Sequence, residues 1–425
     1  MAVFSCLVHF LLYCTISSNT DDPMIDPPSP RTAPTAFSLH RAVAAFMLSR
    51  FAQDSASRAP LPFLGVIAAA YGQDIGAVSW LSIALTLAGL VSPLASILSH
   101  RFGSRRLLLW PPLVFVIACA LLPFAPSFAS VIALFIAISL TKAMFDPQVQ
   151  TFIAERVPFE RRGTVIGVLE LSWALSFLIG APVFGLLVDR VSWSAPFVLM
   201  GGIALLGMVA VWFYVRPAMP GADVKASFSL EPWRTVWRNP RARSFWAFSV
   251  GIMIAAQMPF LVYPTWMKVH FQLSNGQLGL VSTVIGVADV IAELLVIAFL
   301  DRIGKRRAVL IAGGFYALAF SLFWALSASL LGMMIALFSI YLAFEFTLVA
   351  SLPIASETVP ESRAAMMGWN AASIATGRII GSLIAWPLFG SDRLWLVALV
   401  GCVAVSSSLV FMAISTRHAL RSGAG

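Results

Sequence analysis

The sequence predicts an all-α polytopic membrane protein, with twelve transmembrane helices in two pseudo-symmetric bundles of six. Three observations carry that prediction. First, 59% of the 425 residues are hydrophobic and only 11% are charged, against roughly 25% charged in a soluble domain. So long a chain with so few charges cannot cover itself for water. Second, the apolar runs are rich in Leu, Ala, Gly and Phe. Most reach the ~20 residues a helix needs to cross a bilayer, and they lack the alternation of a membrane barrel. Third, the chain repeats itself. Arg101-Phe102-Gly103-Ser104-Arg105-Arg106 returns as Arg302-Ile303-Gly304-Lys305-Arg306-Arg307, 201 residues on. Glu155-Arg156-Val157-Pro158-Phe159-Glu160-Arg161 returns as Glu357-Thr358-Val359-Pro360-Glu361-Ser362-Arg363, 202 residues on. Two echoes in the same order, each between apolar runs, mark a duplicated half.

Taken in order, residues 1–36 read as a disordered extension. The run from Met1 to Ser18 is apolar but too short to cross and lacks the basic start of a signal peptide. Asp21, Asp22 and Asp26 then lead into Pro27, Pro28, Pro30 and Pro34. The first bundle occupies 37–215, with spans at 42–68, 77–98, 107–124, 128–153, 164–187 and 194–215. Residues 216–243, broken by Pro217, Pro220, Gly221, Pro232 and Pro240, form the central loop. The second bundle occupies 244–415, with spans at 244–267, 277–299, 308–328, 330–353, 364–388 and 394–415, and 416–425 is a tail. Lys and Arg orient the whole. On one side they crowd the turns at 101–106, 156–162, 302–307 and 363 and the central loop, whereas the opposite loops hold only Arg190, Lys268 and Arg393. That asymmetry places both termini and the central loop in the cytoplasm, in the plasma (cytoplasmic) membrane.

Composition also excludes several classes. The net charge of +9 sits in the short loops, so it is a topology signal and no nucleic-acid partner is expected. Cys6, Cys14, Cys119 and Cys402 are scattered, with no metal or disulfide spacing. No Walker loop is present. The five histidines form no H-E-x-x-H or comparable cluster. No enzyme activity, metal or cofactor is expected. Transport would draw on a gradient or run downhill.

Two six-helix halves, a central loop and a basic turn after the second and eighth spans together resemble the major facilitator superfamily over about residues 40–415. The superfamily turn reads roughly G-x-x-x-D-R-x-G-R-R. Asp301, Arg302, Gly304, Lys305 and Arg306 match it in the second half, and Arg101, Gly103 and Arg105 in the first. His100 stands where the acid belongs, and Ser96 and Ile297 replace the first glycines. The resemblance implies that these turns latch a cytoplasmic gate; the plainer alternative is that their bases set topology. Gly180-Ala181-Pro182-Val183-Phe184-Gly185 is similar, in part, to the glycine-and-proline motif of proton-driven antiporters. Close helix packing through small residues is the competing reading. The resemblance further implies a monomer in which spans one, four, seven and ten line a central cavity.

Ionisable residues within spans are costly unless paired or facing a wet cavity, so each is a site candidate. Arg50, Asp54 and Arg58 share one face of the first span at i, i+4, i+8. Lys142 and Asp146 lie in the fourth span, followed by Pro147, and Glu170 and Trp173 in the fifth. An Asp54–Lys142 salt bridge is expected. In the second half stand Gln257 and Tyr263 (span seven), Asp289 and Glu293 (span eight), Glu345 (span ten), and Asn370 and Arg378 (span eleven). Asp289 and Arg378 are expected to pair as neighbours. Asp54, Asp289, Glu293 and Glu345 are the proton-coupling candidates; the rest of these residues are cavity candidates. With six acids against four bases, the interior is expected to suit protons and neutral or cationic solutes. Trp173, Trp266, Trp369, Phe260, Phe344 and Phe346 are available for an aromatic wall. The expected function is secondary active transport of a small organic solute by alternating access, as proton-coupled efflux of a drug-like or amphipathic compound. The alternatives are a proton symporter taking up a metabolite and, from another class, a sensor or scaffold without flux.

Overall fold

The computed structural model of the protein describes residues 36–90, 104–157, 159–215, 231–389 and 393–421. Among the described residues nine helices are long and apolar enough to cross a membrane, and two shorter apolar ones, Ile75–Leu90 and Leu108–Phe124, supply spans two and three. The remaining span is the first. It carries Arg41, Arg50, Asp54 and Arg58, which mask its apolar character. The fold is a twelve-helix membrane bundle in two halves.

In the first half, α1 (Ala36–Arg58) and α2 (Leu64–Ala70) make span one. The expected single helix over 42–68 is interrupted, because Pro60 and Pro62 withhold backbone donors and a short 3-10 turn, Leu61–Phe63, follows Arg58. Then come α3 (Val78–Thr86), α4 (Ser104–Leu121) and α5 (Phe128–Arg156). Span five is also broken: α6 (Phe159–Leu175) passes through a π turn, Ser176–Gly180, into α7 (Ala181–Arg190). Such widened turns gather at functional sites. The half ends with α8 (Ala195–Tyr214). A short helix, α9 (Glu231–Arg238), forms inside the stretch read as loop.

The second half holds α10 (Pro240–Phe271), α11 (Asn275–Ile303), α12 (Lys305–Ala325), α13 (Leu330–Thr358), α14 (Arg363–Phe389) and α15 (Leu394–Arg421). The duplication is visible in three dimensions. Helices α5 and α13 start and stop 202 residues apart, and each opens on a serine N-cap, Ser127 and Ser329, whose hydroxyl accepts a backbone N–H of the first turn. Packing repeats as well: α1 lies on α8 as α10 lies on α15, and α4 lies on α5 as α12 lies on α13.

The halves meet along two seams, α7 with α11 and α3 with α14. Small residues make both. A Cβ on Gly279 would come within 2.6 Å of the Ala181 carbonyl oxygen, and one on Gly286 within 2.6 Å of the Leu178 nitrogen. Gly89 abuts Ala375 in the other seam. The Gly180–Gly185 stretch therefore serves close packing: Gly180 faces Ser55 and Gly185 faces the Asn275 backbone.

Candidate functional site

A cavity of about 810 Å³ lies between the halves, within the range of small-molecule sites. At its deep end are Arg58, Leu61, Gln257 and Phe260; at its mouth are Thr151, Trp233 and Met367. The mouth faces the side of the central connection. On the far side the halves are closed. Ser79 Oγ donates to the Ser382 carbonyl at 2.6 Å, Gln257 Nε2 donates to Ser82 Oγ at 2.8 Å, and Phe177 meets Phe260 with ring centroids 5.5 Å apart. The Asp189 carboxylate, at the end of α7, accepts from Gly276 N at 2.6 Å and Asn275 Nδ2 at 2.7 Å. It thereby satisfies orphan donors at the N-terminus of α11 from the other half.

The first half contributes a closed charge network. Lys142 Nζ reaches Asp54 Oδ1 at 2.5 Å and Asp146 Oδ2 at 2.6 Å. Ser172 Oγ donates to the other Asp54 oxygen at 2.5 Å. Arg50 spans Glu170 through both terminal nitrogens, at 2.9 and 3.3 Å, and its Nε lies 3.3 Å from Asp146 Oδ1. The expected Asp54–Lys142 bridge is present. The arginines one turn to either side of Asp54 turn elsewhere.

One ion pair among the described residues crosses between the halves. Arg58 NH2 donates to Asp289 Oδ2 at 2.7 Å, with both side chains buried. Its NH1 donates to the Trp173 carbonyl at 3.1 Å, and its guanidinium lies over the Trp173 ring at 4.2 Å and the Phe177 ring at 4.6 Å. The π turn after Leu175 and the break after Arg58 sit on either side of this contact.

This overturns the expected Asp289–Arg378 pair. Asp289 is held by Arg58 from across the interface. Arg378 instead lines the cavity, and among the described residues it has neither ion pair nor hydrogen bond. Its guanidinium lies 5.6 Å from the centroid of the Trp173 ring. Nothing in the one-dimensional depth estimate distinguishes the two pairings; helix rotation does. The expected acidic character is also reversed at the cavity wall. Arg58, Lys142 and Arg378 line it, against Asp146 alone among the carboxylates. The acids are mostly behind the wall: Asp54 and Asp289 are fully buried, and Glu345 is nearly so.

Of the other candidates, Trp173 and Gln257 line the cavity, with Phe260 and Phe344 as aromatic neighbours. Arg50 and Glu170 support it through Asp146 rather than lining it. Tyr263 and Asn370 do not reach it. Tyr263 Oη pairs with Ser282 Oγ at 2.8 Å, and Asn370 Oδ1 accepts from Ser249 at 2.9 Å. Glu293 and Glu345 have no ion pair among the described residues, and Glu345 Oε2 and Asp289 Oδ1 are buried without a hydrogen-bond partner. Trp266 stacks on His270 and Trp369 packs against Trp237 and Trp246, so neither forms the wall. Phe346 lines a separate apolar groove with Phe299 and Phe315. Sequence reading missed Ser172, Trp233 and Asp189. Each acts on a partner distant in sequence, so no local pattern marks it.

Arg101 and Gly103 lie outside the described residues, and Arg105 is described only as helical backbone. In the second turn Gly304 adopts φ +87°, a conformation that favours glycine, and Asp301 and Arg302 are exposed. Lys305 Nζ meets Glu357 Oε1 at 2.7 Å, so the two repeated motifs touch within one bundle. Arg306 lies in the first turn of α12.

The family description Major Facilitator Superfamily matches this chain twice, over residues 45–262 and 246–423. The chain is similar to "Uncharacterized MFS-type transporter YceJ" of Bacillus subtilis, 24% identical over 71% of this chain and 76% of the relative. It is also similar to "Probable sugar efflux transporter" of Pasteurella multocida, 23% identical over 60% of this chain and 62% of the relative. Among solved structures, the nucleoside transporter NupG superposes with a TM-score of 0.72 at 14% identity, covering 88% of this chain and 99% of that one. A bacterial homolog of the human lysosomal transporter Spinster gives 0.63 at 14% identity, covering 91% and 96%. At these identities the structural likeness concerns the fold.

Proposed function

The chain belongs to the major facilitator superfamily, and from that premise we propose that it exports a small organic solute from the cytoplasm in exchange for protons. The observation that carries this reading is the Arg58–Asp289 pair, which ties one half to the other beside the cavity. Alternating access requires the halves to part on the far side, and parting them separates this pair. Leaving either charge buried and alone costs about 3–5 kcal/mol, so the empty carrier is locked. A proton on Asp289 removes the carboxylate's share of that cost, and Arg58 keeps the Trp173 carbonyl and ring as partners. A solute that satisfies Arg58 removes the same restraint from the other side. The carrier then crosses when it holds a proton or a solute and stays when it holds neither, which is the logic of exchange.

The second half supplies the proton positions. Asp289 Oδ1 and Glu345 Oε2 are buried without partners, so a proton at either does not displace an existing hydrogen bond. Asp54, by contrast, has both oxygens engaged and is assigned a structural role. The basic loops on the side of the cavity mouth support a cytoplasmic mouth. An outward direction is in keeping with the relative named as a sugar efflux transporter.

The test is proton release by purified, weakly buffered protein as lipophilic cations, neutral drugs, sugars and organic acids are added in turn. A ligand is expected to release protons from the wild type and none from Asp289→Asn. Proton uptake on binding would mean symport instead. A ligand that binds with no proton change would remove coupling altogether.

A further inference from the structure

We propose that the solute is an organic carboxylate with an apolar, ring-sized body, and that Arg378 is the residue that takes its carboxylate. The proposal rests on the transport reading and adds the substrate class.

Among the described residues, one cation of the cavity wall has neither ion pair nor hydrogen bond. Lys142 is satisfied by Asp54 and Asp146, and Arg58 by Asp289 and the Trp173 carbonyl. Arg378 projects into the cavity from α14 and, among the described residues, donates to no carboxylate or carbonyl. A charged side chain at membrane depth is costly when uncompensated. A guanidinium has five donors in a planar fork and stays charged, so the group that fits it is a planar anion, held by two parallel hydrogen bonds. A carboxylate has that shape.

The surroundings reject the opposite charge. Arg58, Lys142 and Arg378 approach one ring, Trp173, at 4.2, 5.7 and 5.6 Å from its centroid. The aromatic surface that would attract a cationic solute is thus already occupied by three cations and is not free for a fourth. The rest of the wall is apolar, with Phe260, Phe344 and Met253 facing the same space. An anion anchored at Arg378 with its body on these rings also lies beside Arg58, across the shared Trp173 ring. There it competes with Asp289 for the inter-half contact.

The test uses matched probes on the purified full-length protein: benzoate, naphthoate and cyclohexanecarboxylate, the corresponding alcohols, and the corresponding methylammonium ions. Binding is read as the dose-dependent rise in melting temperature. At least one carboxylate is expected to bind ten-fold or more tightly than its alcohol, and the ammonium ions are expected not to bind. Arg378→Gln should reduce carboxylate affinity at least ten-fold, and Arg378→Lys, which keeps the charge but loses the fork, several-fold. Should Arg378→Gln not yield monodisperse protein, Arg378→Lys alone decides. Alcohols or ammonium ions that bind as well as the acids would overturn the proposal. So would carboxylate affinity unchanged in a folded Arg378 variant, or no binding of any of the three acids at millimolar concentration. Carboxylate binding without proton release would leave this proposal standing and remove the exchange reading. Proton release driven only by cations would do the reverse.

Discussion

The two halves share a backbone plan but not a charge plan. In the first, Arg50, Lys142, Asp54, Asp146 and Glu170 form a network in which every charge has a partner. In the second, Glu293, Glu345 and Arg378 form no ion pair among the described residues, and Asp289 finds its partner only across the interface. A duplicated fold thus divides the work. Apart from Arg58, one bundle pairs its membrane charges internally. The other carries the carboxylates and the arginine that have no ion pair among the described residues, and the proposed exchange acts on those.

The sharpest way to break this contrast is Lys142→Met. It leaves Asp54 with Ser172 alone and Asp146 with Arg50 alone, and is expected to lower the unfolding free energy in bicelles by about 3–5 kcal/mol. Arg378→Met, in the wall of the same cavity, should cost far less or stabilise, because it removes a cation that has no ion pair among the described residues. Equal losses for the two would mean that the halves are alike. The inter-half pair is the next target. Asp289→Asn keeps the volume and removes the attraction, so far-side access to the cavity should rise. With the four native cysteines replaced, Ser57→Cys should react at least about ten-fold faster with an impermeant maleimide added from that side, a shift of ~1.4 kcal/mol. No acceleration would mean that the seam glycines and Asp189 hold the seal alone.

Smaller effects belong to the repeated turns. Gly304→Ala forces a side chain into φ +87° and should cost about 1–2 kcal/mol in unfolding free energy. Glu357→Gln removes the exposed partner of Lys305 and should change stability by less than ~1 kcal/mol. A larger loss would assign that pair a role in holding the turn.

Span positions and the duplicated halves were legible because each depends on local composition, and hydrophobic length acts without a fold. The list of buried charges was legible for the same reason. Asp54–Lys142 was within reach, since both lie at mid-depth in spans expected to be neighbours. The broken first span followed from Pro60 and Pro62 but was read through as one helix. Helix α9 and its Trp233 were missed, because that short amphipathic turn is held by packing against α10 and α14.

What the tertiary structure alone decided is which charge meets which. Arg58 and Asp289 lie 231 residues apart, and Asp189 finds α11 only when the bundles close. At a given depth a helix can present a side chain in any direction, and a change of about 100° per residue separates a partner from a cavity wall. Sequence places Arg378 and Asp289 at one level in the membrane. Only the rotation of packed helices, set by glycine contacts between backbones, gives Asp289 to Arg58 and leaves Arg378 facing the cavity.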